Sequence, residues 1–346
     1  MSLRLRTSLQ LIFFAAILLY FGRTLFVPLC YGLLIAIVLY PVCRWLEHRG
    51  WPRSLSITAG LLVVVLLFVV LVSLLIVQLN TFREDLPELL AKIKPSIEQL
   101  QQWVASRFGI TIAAQEQWWQ QTTQNVGNNA GSIAQTTISA ISGALFTLFL
   151  VPVYAALFLY NREVFVKYLA KITGKQYTNQ LQDILHKVIH TYFHFVKGMI
   201  LVYLLVGILN SIGLLALGIK HAILFGMLTA VMTIIPYIGI FISALLPISV
   251  AWITKDSIWY PIGVAGVFAF VQYLEANVTF PRIVATQLNV STLATLVAII
   301  AGGILWGVSG MILFIPFVGI LKIIFDHTPE GNAWNILLER DNPVKL

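Results

Sequence analysis

The chain is a succession of long apolar runs separated by short polar stretches, and within each run the apolar residues are continuous rather than alternating. Runs at residues 9–21, 25–42, 55–79, 141–160, 196–217 and 258–280 predict α-helical membrane spans. Two further blocks, 221–254 and 284–321, contain no Asp, Glu, Lys or Arg. Each is longer than the ~20 apolar residues that cross a bilayer once, and each is interrupted near its middle. The first breaks at Ile235-Pro236-Tyr237-Ile238-Gly239, the second around Gly302-Gly303 and Gly307-Val308-Ser309-Gly310. The pattern predicts an all-α, polytopic membrane protein with about eight membrane elements, two of them re-entrant hairpins broken by glycine and proline. A β-barrel is excluded because its strands alternate over ~10-residue segments.

Three stretches stand apart from the single membrane domain, 1–346. Residues 80–139 are polar and rich in Gln and Asn, and predict an extracytoplasmic segment. Its first half carries Leu86, Leu90, Ile93, Ile97, Leu100 and Val104 at alternating spacings of four and three. That is either the seam of a coiled coil or the apolar face of a helix lying on the membrane or on neighbouring spans. The Gln115–Gly131 tract reads as loop or frayed helix. Residues 161–195 form a basic loop followed by an amphipathic helix from about Tyr177, and 326–346 form a polar tail with a short helix.

Composition agrees with the pattern: 59% of residues are hydrophobic, only 10% are charged, and mean hydropathy is +0.88. A soluble domain is about one quarter charged. The net charge of +8 does not signal nucleic acid, because the basic residues lie in loops beside apolar runs. With the N-terminus in the cytoplasm, fifteen of the 22 Lys and Arg residues face inward and seven outward. Both termini are therefore expected in the cytoplasm of a bacterial inner-membrane protein. Arg4 and Arg6 before the first apolar run resemble the start of a signal peptide, but no A-x-A-like cleavage site follows. The two cysteines, Cys30 and Cys43, form neither a CxxC pair nor a disulfide framework.

The candidate chemistry lies in the last third. Glu275 is the lone acid of its span, flanked by Gln272 and Asn277 and followed by Pro281 and Arg282. A carboxylate at membrane depth costs several kcal/mol and is protonated, paired or functional. An ion pair with Arg282, two helical turns on, is the structural alternative. Pro236 and Gly239 unwind the first block, so that its backbone lines a cavity or forms a plain hairpin turn. Gly303, Gly307 and Gly310 let helices approach closely, and Pro316 follows them. Asn210 within 196–217 reads as a polar group that joins helices.

His186, His190 and His194 recur every four residues, but three ligands along one helix span ~12 Å, too far for one ion. No metal site is therefore assigned. HExxH, GxSxG, Walker and GxGxxG patterns are absent, so neither an enzyme nor a cofactor is indicated.

On Ile235-Pro236-Tyr237-Ile238-Gly239, on Glu275-Ala276-Asn277-Val278-Thr279-Phe280-Pro281-Arg282-Ile283, and on Gly307-Val308-Ser309-Gly310 with Pro316, the chain resembles the autoinducer-2 exporter family of bacterial inner-membrane permeases. The resemblance covers essentially the whole length. It implies export of the small signal autoinducer-2, as in quorum sensing, by some members. It also implies sodium– or lithium–proton antiport by others, and homo-oligomers described as pentamers. Where the family often reads Gly-Leu-x-Pro, this chain has Leu288-Asn289-Val290-Ser291.

The resulting expectation is a secondary transporter that exports a small polar molecule by alternating access. Glu275, Asn277, Arg282, Gln272, Pro236 and Gly239 would lie along the substrate or ion path. Gly303, Gly307, Gly310, Pro316 and Pro281 would form hairpin gates or site walls. Expected partners are the lipid bilayer, a small-molecule or cation substrate and further copies of the chain. A cation/proton antiporter is the second expectation, and a non-transporting oligomeric scaffold built on the Leu86–Val104 seam is the third.

Overall fold

The computed structural model describes residues 3–115, 117, 149–174, 177–236, 238–255, 257–285, 289–328 and 338. The described chain is helical throughout. In order, it forms α1 (Leu3–Phe21), α2 (Arg23–His48), α3 (Arg53–Phe108), α4 (Phe149–Tyr160), α5 (Arg162–Thr173) and α6 (Thr178–Ala216). Then come α7 (Ala222–Met232), α8 (Ile238–Thr254), α9 (Trp259–Leu274), two wide π-type turns (Glu275–Thr279 and Pro281–Ala285), α10 (Thr292–Trp306) and α11 (Val308–Phe325).

Five stretches are long and apolar enough to span a membrane: α2, Arg53–Phe82 of α3, α6, Trp259–Val284 and α11. A sixth is added if α4 and α5, bent by 65° at Asn161, count as one. The helices α7, α8 and α10 are apolar but shorter. At 1.5 Å per residue α7 is ~17 Å long, well under the ~30 Å hydrocarbon core, so this helix alone is too short to cross it.

Two boundaries differ from the sequence reading. The span at 55–79 and the amphipathic half of 80–139 are one helix of 56 residues, ~84 Å long. It ends at Gly109, whose φ of 69° closes the last turn. The amphipathic half therefore continues the span as the same helix rather than starting a separate one. The seam side chains at 86–100 and most of the Gln115–Gly131 tract lie outside the described residues, as does nearly all of the 326–346 tail. Likewise, the amphipathic helix from Tyr177 and the span 196–217 are one helix, α6, of 39 residues.

The long helix α6 is the axis of the bundle, packing against α2, α5, α7, α9, α11 and both wide turns. Small residues allow this. A Cβ at Gly226 would strike Ser211 and the Gly207 carbonyl, so α6 and α7 touch backbone to backbone. Around α6, Phe195, Val202 and Val206 bury against Val271 of α9 and Val284, with Ile315 of α11 closing the cluster. A second cluster joins Leu214, Ala222, Phe225, Val250, Ala251, Val264 and Phe268, and so ties α7, α8 and α9 to the far end of α6. Phe82, where α3 leaves its span, stacks edge-on against Phe225 at 5.9 Å.

At the opposite end, ion pairs join elements distant in sequence. Arg162 at the start of α5 donates to the Glu47 carboxylate of α2. Arg53 at the start of α3 reaches Glu163 of α5 at 3.2 Å and the Leu159 carbonyl of α4 at 3.1 Å. The stretch expected as a basic loop is therefore partly a helix, α5, pinned at its first turn.

Candidate transport site

The span that begins at Trp259 changes character at Glu275. Up to Leu274 it is an α-helix; from Glu275 to Ala285 it widens into two successive π-type turns separated by Phe280. Pro281 contributes by lacking an N–H, and wide turns of this kind are frequent at functional sites. Three of the expected path residues, Glu275, Asn277 and Arg282, sit on the widened stretch, and Gln272 sits half-buried one turn before it.

Their surroundings differ. Glu275 is half-buried, and its Oε2 is shielded from solvent with no hydrogen-bond partner among the described residues. Tyr203, half-buried on α6, lies within electrostatic reach of the carboxylate. Arg282 is exposed and forms no ion pair with Glu275, so the ion pair considered as the structural alternative is not found. Asn277 is exposed and donates to the Tyr273 carbonyl at 3.0 Å, a bond within its own helix. The widened stretch is held close to α6 by Gly198, where a Cβ would lie 2.9 Å from the Ile283 carbonyl oxygen.

The two broken blocks are built differently. Between α7 and α8 the chain makes a tight turn in which Ile235 donates to the Met232 carbonyl at 2.9 Å and Gly239 to the Ile235 carbonyl at 3.1 Å. Ile238 donates to the Pro236 carbonyl at 2.7 Å. Three carbonyls of the turn are thus engaged locally. Gly239 starts α8 where a Cβ would run into the Met232 carbonyl, so glycine is required for the turn to close. Tyr237 lies outside the described residues.

Between α10 and α11 the break is a single residue. Gly307 has φ 62° and ψ −141°, a conformation open essentially to glycine alone. The arms then meet at Gly302 and Gly310, each positioned where a Cβ would strike the other's carbonyl. Gly303 faces the Met311 side chain, and Pro316 is buried within α11. Close packing is therefore real, but Gly307 has open space around its Cβ position and serves as the hinge rather than as part of the packed face. Trp306 adds an outward tie, donating to the Leu19 carbonyl of α1 at 2.9 Å.

Other sequence features resolve simply. Asn210 is fully buried, but it bonds the Val206 carbonyl of its own helix, leaving its Oδ1 without a partner. It therefore does not join α6 to a neighbour by a hydrogen bond. His190 and His194 stack with ring centroids 4.2 Å apart, and His186 and His190 are exposed. No group of three or more metal-ligating side chains occurs among the described residues. Two site features were missed by sequence reasoning: the widening at Glu275, which has no residue signature, and Tyr203, an ordinary interfacial residue type in an apolar run.

Comparison with known proteins agrees with this architecture. Residues 9–330 match the model of the family described as AI-2E family transporter. The chain is 27% identical over 319 residues to the Bacillus subtilis protein named "Putative transport protein YrrI", covering 88% of this chain and 87% of the relative. It is 24% identical over 324 residues to the "AI-2 transport protein TqsA" of Escherichia coli, covering 92% and 90%. Multiple apolar spans, two glycine-broken hairpins and a match running nearly end to end have one conclusion: this chain belongs to the AI-2E transporter family.

Proposed function

We propose that the protein is a secondary transporter of the bacterial inner membrane that moves a small polar molecule of the autoinducer-2 type outward by alternating access. Glu275 is its coupling acid. The observation that carries this reading is the state of Glu275: half-buried in an apolar span, one carboxylate oxygen shielded and unpartnered, on backbone widened into π-type turns. Among the described residues that oxygen has no bond to offset its cost, and intramembrane acids of this kind mark ion and substrate paths. Alternating access would rock the two hairpins about α6, exposing Glu275 first to one side and then to the other.

Sodium– or lithium–proton exchange is the second reading, and the same unpaired oxygen favours it, since a carboxylate that binds a proton also binds a small cation. Everted membrane vesicles holding a pH gradient separate the two. If sodium or lithium collapses the gradient in the wild type and not in Glu275→Gln, the protein is an antiporter with Glu275 as its coupling acid. If neither cation does so while labelled autoinducer-2 moves in a Glu275-dependent way, export holds. Wild-type flux of all three through Glu275→Gln would overturn both readings.

A further inference from the structure

The helix α5 follows α4 across a 65° bend and has no buried residue. Its sequence is sharply two-sided. At 3.6 residues per turn, Val164, Phe165, Tyr168, Leu169 and Ile172 fall on one continuous arc, while Glu163, Lys167 and Lys171 fall on an adjoining one, with Glu163 and Lys167 farthest from its centre and Lys171 at the border beside Val164. The apolar arc is uncovered: Val164, Tyr168 and Ile172 are 63%, 62% and 64% exposed. Phe165 alone turns back, its ring 5.4 Å from Phe158 of α4. Neither Lys167 nor Lys171 forms an ion pair within the described residues.

What covers such an arc follows from where it lies. The apolar helix α4 delivers α5 directly at the end of an apolar run, where the chain leaves hydrocarbon. The first turn of α5 is fixed by Arg162 on Glu47 and by Arg53 on Glu163, so the angle of the bend is set by the bundle itself. Exposed Trp45 and Trp51, and Arg49 stacked 3.7 Å over the Trp45 ring, flank the same end. Tryptophan and arginine together mark headgroup depth. An amphipathic helix at that depth, apolar on one arc and bearing free lysines on the other, matches a negatively charged lipid surface.

We propose that α5 is an interfacial lipid-binding helix that seats its Val164–Ile172 arc at the acyl boundary and engages anionic phospholipid phosphates through Lys167 and Lys171. This inference is independent of the transported cargo.

The test uses the full chain carrying Cys30→Ala and Cys43→Ala, reconstituted in phosphatidylcholine vesicles with and without phosphatidylglycerol. Single cysteines replacing Tyr168, Ile172 or Lys167 carry nitroxide labels. Labels at 168 and 172 should be open to dissolved oxygen and shielded from a water-soluble nickel chelate, and the label at 167 should show the reverse. Adding phosphatidylglycerol should deepen the shielding. Half-maximal shielding should require about fivefold more anionic lipid for each of Lys167→Gln and Lys171→Gln.

Chelate access at 168 and 172 equal to that at 167 would overturn the proposal. Shielding equal in both vesicle types would overturn its anionic part. Shielding already complete in detergent and dependent on protein concentration would assign the arc to a second copy instead.

Discussion

The two glycine-broken hairpins look alike in sequence and differ in structure. The α7–α8 hairpin has two short arms joined by a turn that bonds its own carbonyls, and α7 is pressed backbone to backbone on α6. The α10–α11 hairpin has one full-length arm, turns at a single glycine, and locks its arms to each other through Gly302 and Gly310. The first hairpin is thus defined by what it packs against, the second by itself. Glu275 lies on the widened span between them in sequence, packed on α6 with Ile315 of α11 nearby.

The steepest test of this contrast is at the mutual contact. Gly310→Ala places a methyl against the Gly302 carbonyl, which a regular helix cannot move away, and should cost about 3 kcal/mol. Thermal unfolding in detergent reads it, and an unchanged midpoint would mean the arms do not pack as described.

The next test separates the two breaks by mechanism. Gly307→Ala and Gly239→Ala should each cost about 2 kcal/mol, the first by backbone strain and the second by collision with the Met232 carbonyl. Enlarging the side chain distinguishes them. At 307, where the Cβ position is open, serine should cost the same as alanine; at 239 valine should cost more than alanine. Equal size dependence at both sites would erase the distinction.

A smaller effect is expected at Tyr203→Phe. Removing the hydroxyl that lies within electrostatic reach of Glu275 should slow transport a few-fold, with folding unchanged. Flux assays on purified protein in vesicles check it, and wild-type flux would show that Tyr203 does not position the acid.

Much of this was readable from residues. Continuous apolar runs marked the spans, and Gly and Pro marked both breaks, because these residues alter backbone geometry directly. The lone acid at 275 stood out for the same elementary reason, the cost of charge in hydrocarbon. What was hidden depends on tertiary context. The continuity of α3 past Asn80 was not legible because a change in polarity looks like a boundary even when the helix persists. The Gly302–Gly310 contact spans a turn, so it follows neither the three- nor the four-residue spacing that led from Gly303 to Gly307. At α5 the helical period of Val164, Phe165, Tyr168, Leu169 and Ile172 was present, but the lysines between them made the stretch read as a basic loop.

The central claim is that Glu275 is the functional acid of the path, and labelling with a hydrophobic carbodiimide tests it most directly. The reagent modifies protonated carboxyls at membrane depth. Modification of Glu275, located by peptide mapping, should rise in parallel with loss of transport, and the transported molecule or cation should protect both. Complete modification of Glu275 with transport at the wild-type rate would contradict the account.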